Sequence, residues 1–271
     1  MSQKPEIRYP TDLSDAEWQA VAPIVAQKKG RGRKRTVNIR EVLNAIFYLD
    51  KTGCQWEMLP KDFPDYRHVN YYYLQWTRKA IWDMVLETLR RAIRTQEGRD
   101  EQPSAAVLDS QSVKTTGKGE ERGYDSGKQV KGRKRHIVVD TLGLLLLVLV
   151  TSASVQDRDG GVELCDEADQ KFPRLKKIWA DSAYRGELVD YVAQWCRFVL
   201  EIVNKPAEQR GFQVHPKRWI VERTLAWFNL FRRLSKDYER TIISSEAMIK
   251  IASIRMMLRR LFSTADLKSN F

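Results

Sequence analysis

The chain has 271 residues, 42% of them hydrophobic and 10% aromatic, enough apolar material for a real core in one large or two modest domains, which excludes a disordered chain. Its 47 Lys and Arg against 35 Asp and Glu leave a formal net charge of +12, an excess that points to a polyanionic partner, nucleic acid first. The three cysteines (Cys54, Cys165, Cys196) are scattered without a CxxC pair, and the longest apolar run, Leu144 to Val150, is too short to span a bilayer. A reduced, cytoplasmic protein without a membrane segment is therefore expected.

In chain order, the first hundred residues read as helical. Ser14 and Glu17 form a capping box, with Leu13 and Trp18 placed as a hydrophobic staple. A helix over 38–51 has Val42, Ile46 and Leu49 at helical spacing and Gly53 as its stop. A third is expected over 69–95, carrying Leu74, Ala80, Ile81, Val85, Leu86 and Leu89. Between the first two lies a run of basic residues, Lys28 to Arg40, with no acid among them; Arg31, Arg33, Lys34 and Arg35 are its centre. Helices joined by a basic loop suit a DNA-binding module of helix-turn-helix type, and equally a helical cap packed on the next domain.

The polar stretch 96–103 contains Gly and Pro and no apolar residue, which places a boundary between a helical domain, 1–100, and a second domain, 101–271. There the pattern turns to α/β. Strands are expected over 105–113, 135–140 and 144–151, with a Gly-rich basic loop at 115–132 and a tight turn at Asp140-Thr-Leu-Gly143. A helix over 161–171, a strand over 175–180, a helix over 187–196 and a strand over 198–203 follow. Long helices over 217–238 and 246–262 close the chain. Three strands, helix, strand, helix, strand and helices is the order of a ribonuclease-H-like mixed sheet flanked by helices.

No P-loop, H-E-x-x-H or G-x-S-x-G is present, and His68, His136 and His215 form no triad or zinc pattern. The chemistry rests instead on acids at strand ends. Asp109 ends Ala-Val-Leu-Asp and Asp181 ends Ile-Trp-Ala-Asp. A carboxylate at the edge of an apolar strand is costly unless a cation compensates it, and two side by side suit magnesium or manganese. For either Asp alone the reading as a turn cap wins; two of them in this strand order shift the balance. On a wheel of the 217–238 helix, Ile220, Thr224, Trp227, Phe231 and Leu234 share one face. Glu222 lies opposite, beside Arg218, Asn229, Arg233 and Lys236. That face is either a metal-binding Glu among phosphate-gripping cations or a solvated surface with an Arg218–Glu222 pair.

Taken together, the segments YPTDLSDAEW (9–18), GCQWEMLP (53–60), LDSQSVKT (108–115), RGYDSGKQVKGRKRHIVVDTLGL (122–144), ADSAYRG (180–186) and WIVERTLAWFNLFRRLSKDYE (219–239) resemble the DDE transposases of bacterial insertion sequences, the insertion sequence five family. The resemblance implies a ribonuclease-H-like core with Asp109, Asp181 and Glu222 as catalytic acids. They would hold two Mg2+ or Mn2+ ions that serve cleavage and strand transfer on double-stranded DNA, with a homodimer bringing both element ends together. The wider group ends in a pattern of Tyr, two residues, Arg, three residues, Glu, six residues, Lys. Arg218 and Glu222 fit it, His215 and Asn229 do not, and Arg233 or Lys236 is expected to take the last role. Lys131, Arg133 and Lys134 are the further cations expected to meet DNA. A ribonuclease-H-like nuclease that cuts without joining, and a non-catalytic DNA-binding repressor, are the competing readings.

Overall fold

A computed structural model of the chain describes residues 7–27, 36–116, 119–203 and 217–262. Helix α1 (Asp15–Val25) starts with the expected capping box: Ser14 Oγ accepts from the Glu17 N–H, and Glu17 returns its carboxylate to the Ser14 N–H. Helix α2 (Ile39–Thr52) is capped by Asn38 and ends at Gly53, φ +72°. A side chain there would also meet Arg232 and Arg233, which approach to 3.1–3.3 Å of where its Cβ would lie.

The single helix expected over 69–95 is two, α3 (Tyr66–Arg78) and α4 (Ile81–Gln96). The chain turns at Ala80, φ +51°. Contacts across the corner stabilise the break: the Trp82 indole N–H donates to Thr77 Oγ1 at 3.0 Å, and Trp76 and Trp82 meet edge to face at 5.4 Å.

The sheet is built from β1 (Ala105–Lys114), β2 (Gly123–Asp125), β3 (Val130–Asp140), β4 (Leu145–Ser152), β5 (Lys177–Ala180) and β6 (Val199–Ile202). Strand β3 lies between β1 and β4, antiparallel to both, and the short β2 pairs with its first residues. Strand β2 falls within the stretch expected to be loop. On the other side of β1, β5 and then β6 run parallel to it. The spatial order β4-β3-β1-β5-β6 is that of the ribonuclease-H-like fold, and it puts β1 at the centre.

Alternation along β1 separates two cores. Ala106 and Leu108 face α5 (Asp157–Lys171) and α6 (Glu187–Trp195), packing with Leu164, Ala168, Leu188 and Val192. Val107 faces the opposite way, with Ile137, Val139, Val148 and the residues of α7 (Trp219–Phe228) and α8 (Ile242–Phe262). That second core continues without a break into α1–α4. The stretch 96–103 is thus a turn in the chain but not a gap in the packing, and the Arg94–Asp140 ion pair, buried on both sides, crosses it.

The 217–238 helix is shorter than expected. Helix α7 stops at Phe228, and Arg232–Leu234 form a separate 3-10 turn. The reason is tertiary. Arg233 is buried against Glu239 at 2.7 Å and donates to the Cys54 carbonyl at 3.0 Å, which pulls this stretch onto the end of α2. The three cysteines are free thiols, and no described helix is long and apolar enough to cross a membrane.

Candidate active site

Register brings the first two acids together. On parallel strands β1 and β5, Val107 pairs with Trp179; two residues further along each chain stand Asp109 and Asp181. Asp109 shares the parity of Val107 and so belongs to the face that α7 covers. Asp181 lies just past β5, where its Oδ1 accepts from the Ala183 N–H at 2.9 Å and caps the turn Ser182–Tyr184. The cap is real, so this Asp does what a turn residue does while also lying beside Asp109.

Glu222 is in the first turn of α7 and exposed. The buried stripe is Val221, Thr224, Leu225 and Phe228, rotated from the expected face through Ile220 and Trp227, which are half-buried, so that Glu222 flanks the stripe and does not oppose it. Arg218, one turn earlier, connects it to the sheet. Its Nη2 lies 3.1 Å from Glu222 Oε1 and 3.6 Å from Asp181 Oδ2. Two of the three acids thus share one guanidinium. Among the described residues no three acidic, His or Cys side chains lie close enough to hold a metal ion together; Arg218 stands where two of the carboxylates converge.

Asp109 is the electrostatically costly member. Burial pushes its carboxyl up to about 6; the Ser110 N–H opposes this, the charge of Asp181 adds to it, and Arg218 and Lys128 oppose it. Three carboxylates are hard oxygen donors of the type a divalent cation takes, and a carboxyl whose pKa is raised, beside two acids that share one arginine, is a place short of positive charge.

Around Asp109 the fold adds residues that the sequence did not single out. Ser110 Oγ donates to Asp157 Oδ1 at 2.8 Å, and Lys134 Nζ reaches the same oxygen at 2.9 Å. Against burial, which raises it, these two contacts hold the Asp157 carboxyl below its usual value. Lys128 Nζ lies 3.3 Å from both Ser110 oxygens. Tyr184 is buried behind the site; desolvation and then the charges of Asp109 and Asp157 push its phenol well up. One signal pointed here: Ser follows Asp in both motifs, Asp109-Ser110 and Asp181-Ser182.

The cations expected to meet DNA divide. Lys131 and Lys236 are exposed, and Arg218 is half-buried at the acids. Arg133 is fully buried, donating to the carbonyls of Glu120, Glu239 and Arg240 and paired with Asp237. Lys134 is held by Asp157 and the Val155 carbonyl, and Arg233 by Glu239. Burial and structural partners count against the expectation for these three: as placed, they brace the fold. With α7 ending at Phe228, Arg233 and Lys236 also leave the helical face of Glu222. Arg31, Arg33, Lys34, Arg35 and His215 lie outside the described residues. His136 is a packing residue: its ring lies against Gly160, Nε2 is 3.1 Å from Thr151 Oγ1, and burial lowers its pKa to about 4.

Comparison with known proteins agrees with this architecture. Residues 100–257, more than half of the chain, match the family described as "Transposase DDE domain", and residues 13–86 match one described as "Putative transposase of IS4/5 family". The chain belongs to the DDE transposase family. It is 30% identical over 127 residues to "Putative transposase for insertion sequence element IS402" of Burkholderia cepacia, covering 44% of this chain and 60% of that protein. It is 32% identical over 80 residues to the uncharacterized protein y4sN of Sinorhizobium fredii, covering 29% of this chain and 63% of that protein. The chain thus spans less than two thirds of the length of either relative.

Proposed function

We propose that the chain is a DNA transposase that cuts phosphodiester bonds at the ends of its element and joins the freed 3′-hydroxyls to target DNA, with Asp109, Asp181 and Glu222 as its catalytic acids. The observation that carries this reading is the convergence of Asp109, within β1, and Asp181, just past the neighbouring parallel strand β5, with a helix-borne glutamate through Arg218.

In this reading the three carboxylates hold Mg2+ or Mn2+, which supply Lewis-acid charge at the scissile phosphate. The chain's own groups do the rest. The rigid central strand fixes Asp109, and Lys134 and Asp157 brace that strand at Ser110. Arg218 is free to leave the acids for a phosphate oxygen once they are otherwise neutralised, and Lys128, Lys131 and Lys236 add positive charge. Water attacks the phosphorus in line, the bond to the 3′-oxygen breaks, and that oxygen leaves as a 3′-hydroxyl. The same hydroxyl then attacks a target phosphodiester, so one bond is made for each broken. Two element ends must be processed together, which calls for a homodimer on DNA. The 28–40 cluster is assigned a share of phosphate binding.

The test is incubation of labelled end DNA with the protein, Mg2+ and a plasmid. Label joined to the plasmid is the expected result. Cut ends that never join would make the chain a nuclease, and binding without cutting would make it a repressor.

A further inference from the structure

Behind α7, on the side away from Glu222, lies a cavity of about 410 Å3 between α7, α8, the Leu142–Leu145 turn and the segment around Pro10. That volume suits a small organic ligand. Leu144, Trp227, Phe231 and Met256 give it an apolar wall, and Lys51, Arg223, Arg255, Arg259 and Arg260 line it with positive charge. Two carboxylates answer these five cations: Glu17 pairs with Arg255, and Glu97 with Arg260. Among the described residues, none pairs with Lys51, Arg223 or Arg259.

The charge is held in place without being neutralised. Backbone carbonyls orient the guanidiniums, Leu142 accepting from Arg223 and Arg260, and Pro10 from Arg259. Trp219 and Trp227 sandwich Arg223, their ring centroids 4.3 and 4.6 Å away. Arg255 is buried, and its Nε, like that of Arg223, has no hydrogen-bond partner among the described residues. Burial first, and then the charges of Arg259 and Arg255, lower the Lys51 pKa; burial and Arg260 lower that of Arg223. Cations that depress one another around an open volume favour an anion. The facing aromatic and thioether wall favours a flat, apolar body on that anion.

We infer that this cavity is a nucleotide-binding site, separate from the acidic centre, that takes phosphate on Lys51, Arg223 and Arg259 and a base against Trp227, Phe231 and Met256. The nucleotide is either free in solution or a unit of a DNA strand. The cavity joins α7 to residues of the N-terminal helices, so an occupant would clamp the helix that carries Glu222.

The experiment is isothermal titration of the full chain with adenosine diphosphate at fixed ionic strength and without divalent metal. Inorganic phosphate, adenosine and a 5′-phosphorylated oligonucleotide are the other probes. One saturable site per chain is expected, with phosphate alone and adenosine alone each at least tenfold weaker. The Lys51 ammonium lies over the Phe231 ring, 4.8 Å from its centroid. Lys51→Met keeps an unbranched chain of similar length and removes the charge; it and Arg259→Gln should each weaken binding at least tenfold. Arg91→Gln, at an exposed pair with Glu87 outside the cavity, should bind as the parent does. The melting temperature of ligand-free Lys51→Met should stay within a few degrees of the parent, because Lys51 makes no ion pair among the described residues and loses only its contact with Phe231 and its attraction to Asp50. Displacement of the nucleotide by the oligonucleotide assigns the site to a DNA strand, and failure to displace it assigns the site to free nucleotide. The inference is overturned by the absence of saturable binding, by phosphate binding as tightly as the nucleotide, or by both cavity variants binding as the parent does.

Discussion

Asp181 and Glu222, 41 residues apart in sequence, are held to one another by a single guanidinium, Arg218, at 3.6 and 3.1 Å. The two like charges repel, and the shared cation offsets that repulsion. An arginine here is a resident competitor for any metal that the acids bind.

The first prediction follows from that competition. Arg218→Gln leaves the carboxylates to repel each other, so a divalent ion meets less resistance. Affinity for Mn2+ in the absence of DNA should rise several-fold, up to roughly the tenfold that corresponds to about 1.4 kcal/mol. Titration calorimetry reads this directly. Unchanged or weaker binding would show that Arg218 does not occupy the metal's place.

Much of this arrangement was legible in the sequence, because it rests on local chemistry. The Ser14–Glu17 box, the stop at Gly53 and the acid that follows the apolar strand β5 each come from a few adjacent residues, whereas Asp109 lies within β1 and not at its end. What was not legible depends on distant partners. Helical periodicity reads straight through Ala80 and Asn229, where Trp82–Thr77 and Arg233–Glu239 contacts break the helices. Charge alone did not distinguish Arg133, buried against Asp237, from the exposed Lys131 two residues earlier. The three-residue β2 is too short to show a period.

Arg133 separates bracing from DNA contact. Its removal leaves Asp237 buried without its cation, so Arg133→Ala should cost roughly 3–5 kcal/mol of stability. The salt dependence of DNA binding by the folded fraction should not change. A stable variant with a flattened salt slope would return Arg133 to the DNA surface. Denaturant melts and salt titrations on one preparation decide it.

The 28–40 cluster is expected to behave in the opposite way. Neutralising Arg31, Arg33, Lys34 and Arg35 should leave the melting temperature nearly unchanged. The slope of log affinity against log salt should flatten by up to roughly 3–4 if all four meet phosphates, about 0.9 each. An unchanged slope would make the cluster a solvated surface.

Asp50 supplies a pH test of the core. It is fully buried, neither of its carboxylate oxygens has a hydrogen-bond partner among the described residues, and burial pushes its pKa well up despite Arg233. The folded pKa exceeds the unfolded one, so the folded state prefers the protonated acid. Its contribution is complete below the unfolded pKa and is lost as pH rises towards and through the folded pKa, by about 1.4 kcal/mol per pH unit. Asp50→Asn cannot titrate and should flatten the fall in stability between pH 5 and pH 8. Parallel stability curves for variant and parent would contradict this account.

The most direct test of the acidic centre is Glu222→Gln, assayed for cleavage of end DNA and for gel-shift affinity on the same preparation. Glutamine keeps the shape of the side chain, and Glu222 is exposed and outside the buried stripe of α7, so the fold should persist. One anionic ligand is lost from a site that needs several, while repulsion against phosphate falls. The account predicts cleavage reduced by at least roughly a hundredfold, more than 2.7 kcal/mol of transition-state stabilisation, with DNA affinity equal to or slightly above that of the parent. Full cleavage by the variant would contradict it, leaving Glu222 as nothing more than the exposed partner of Arg218.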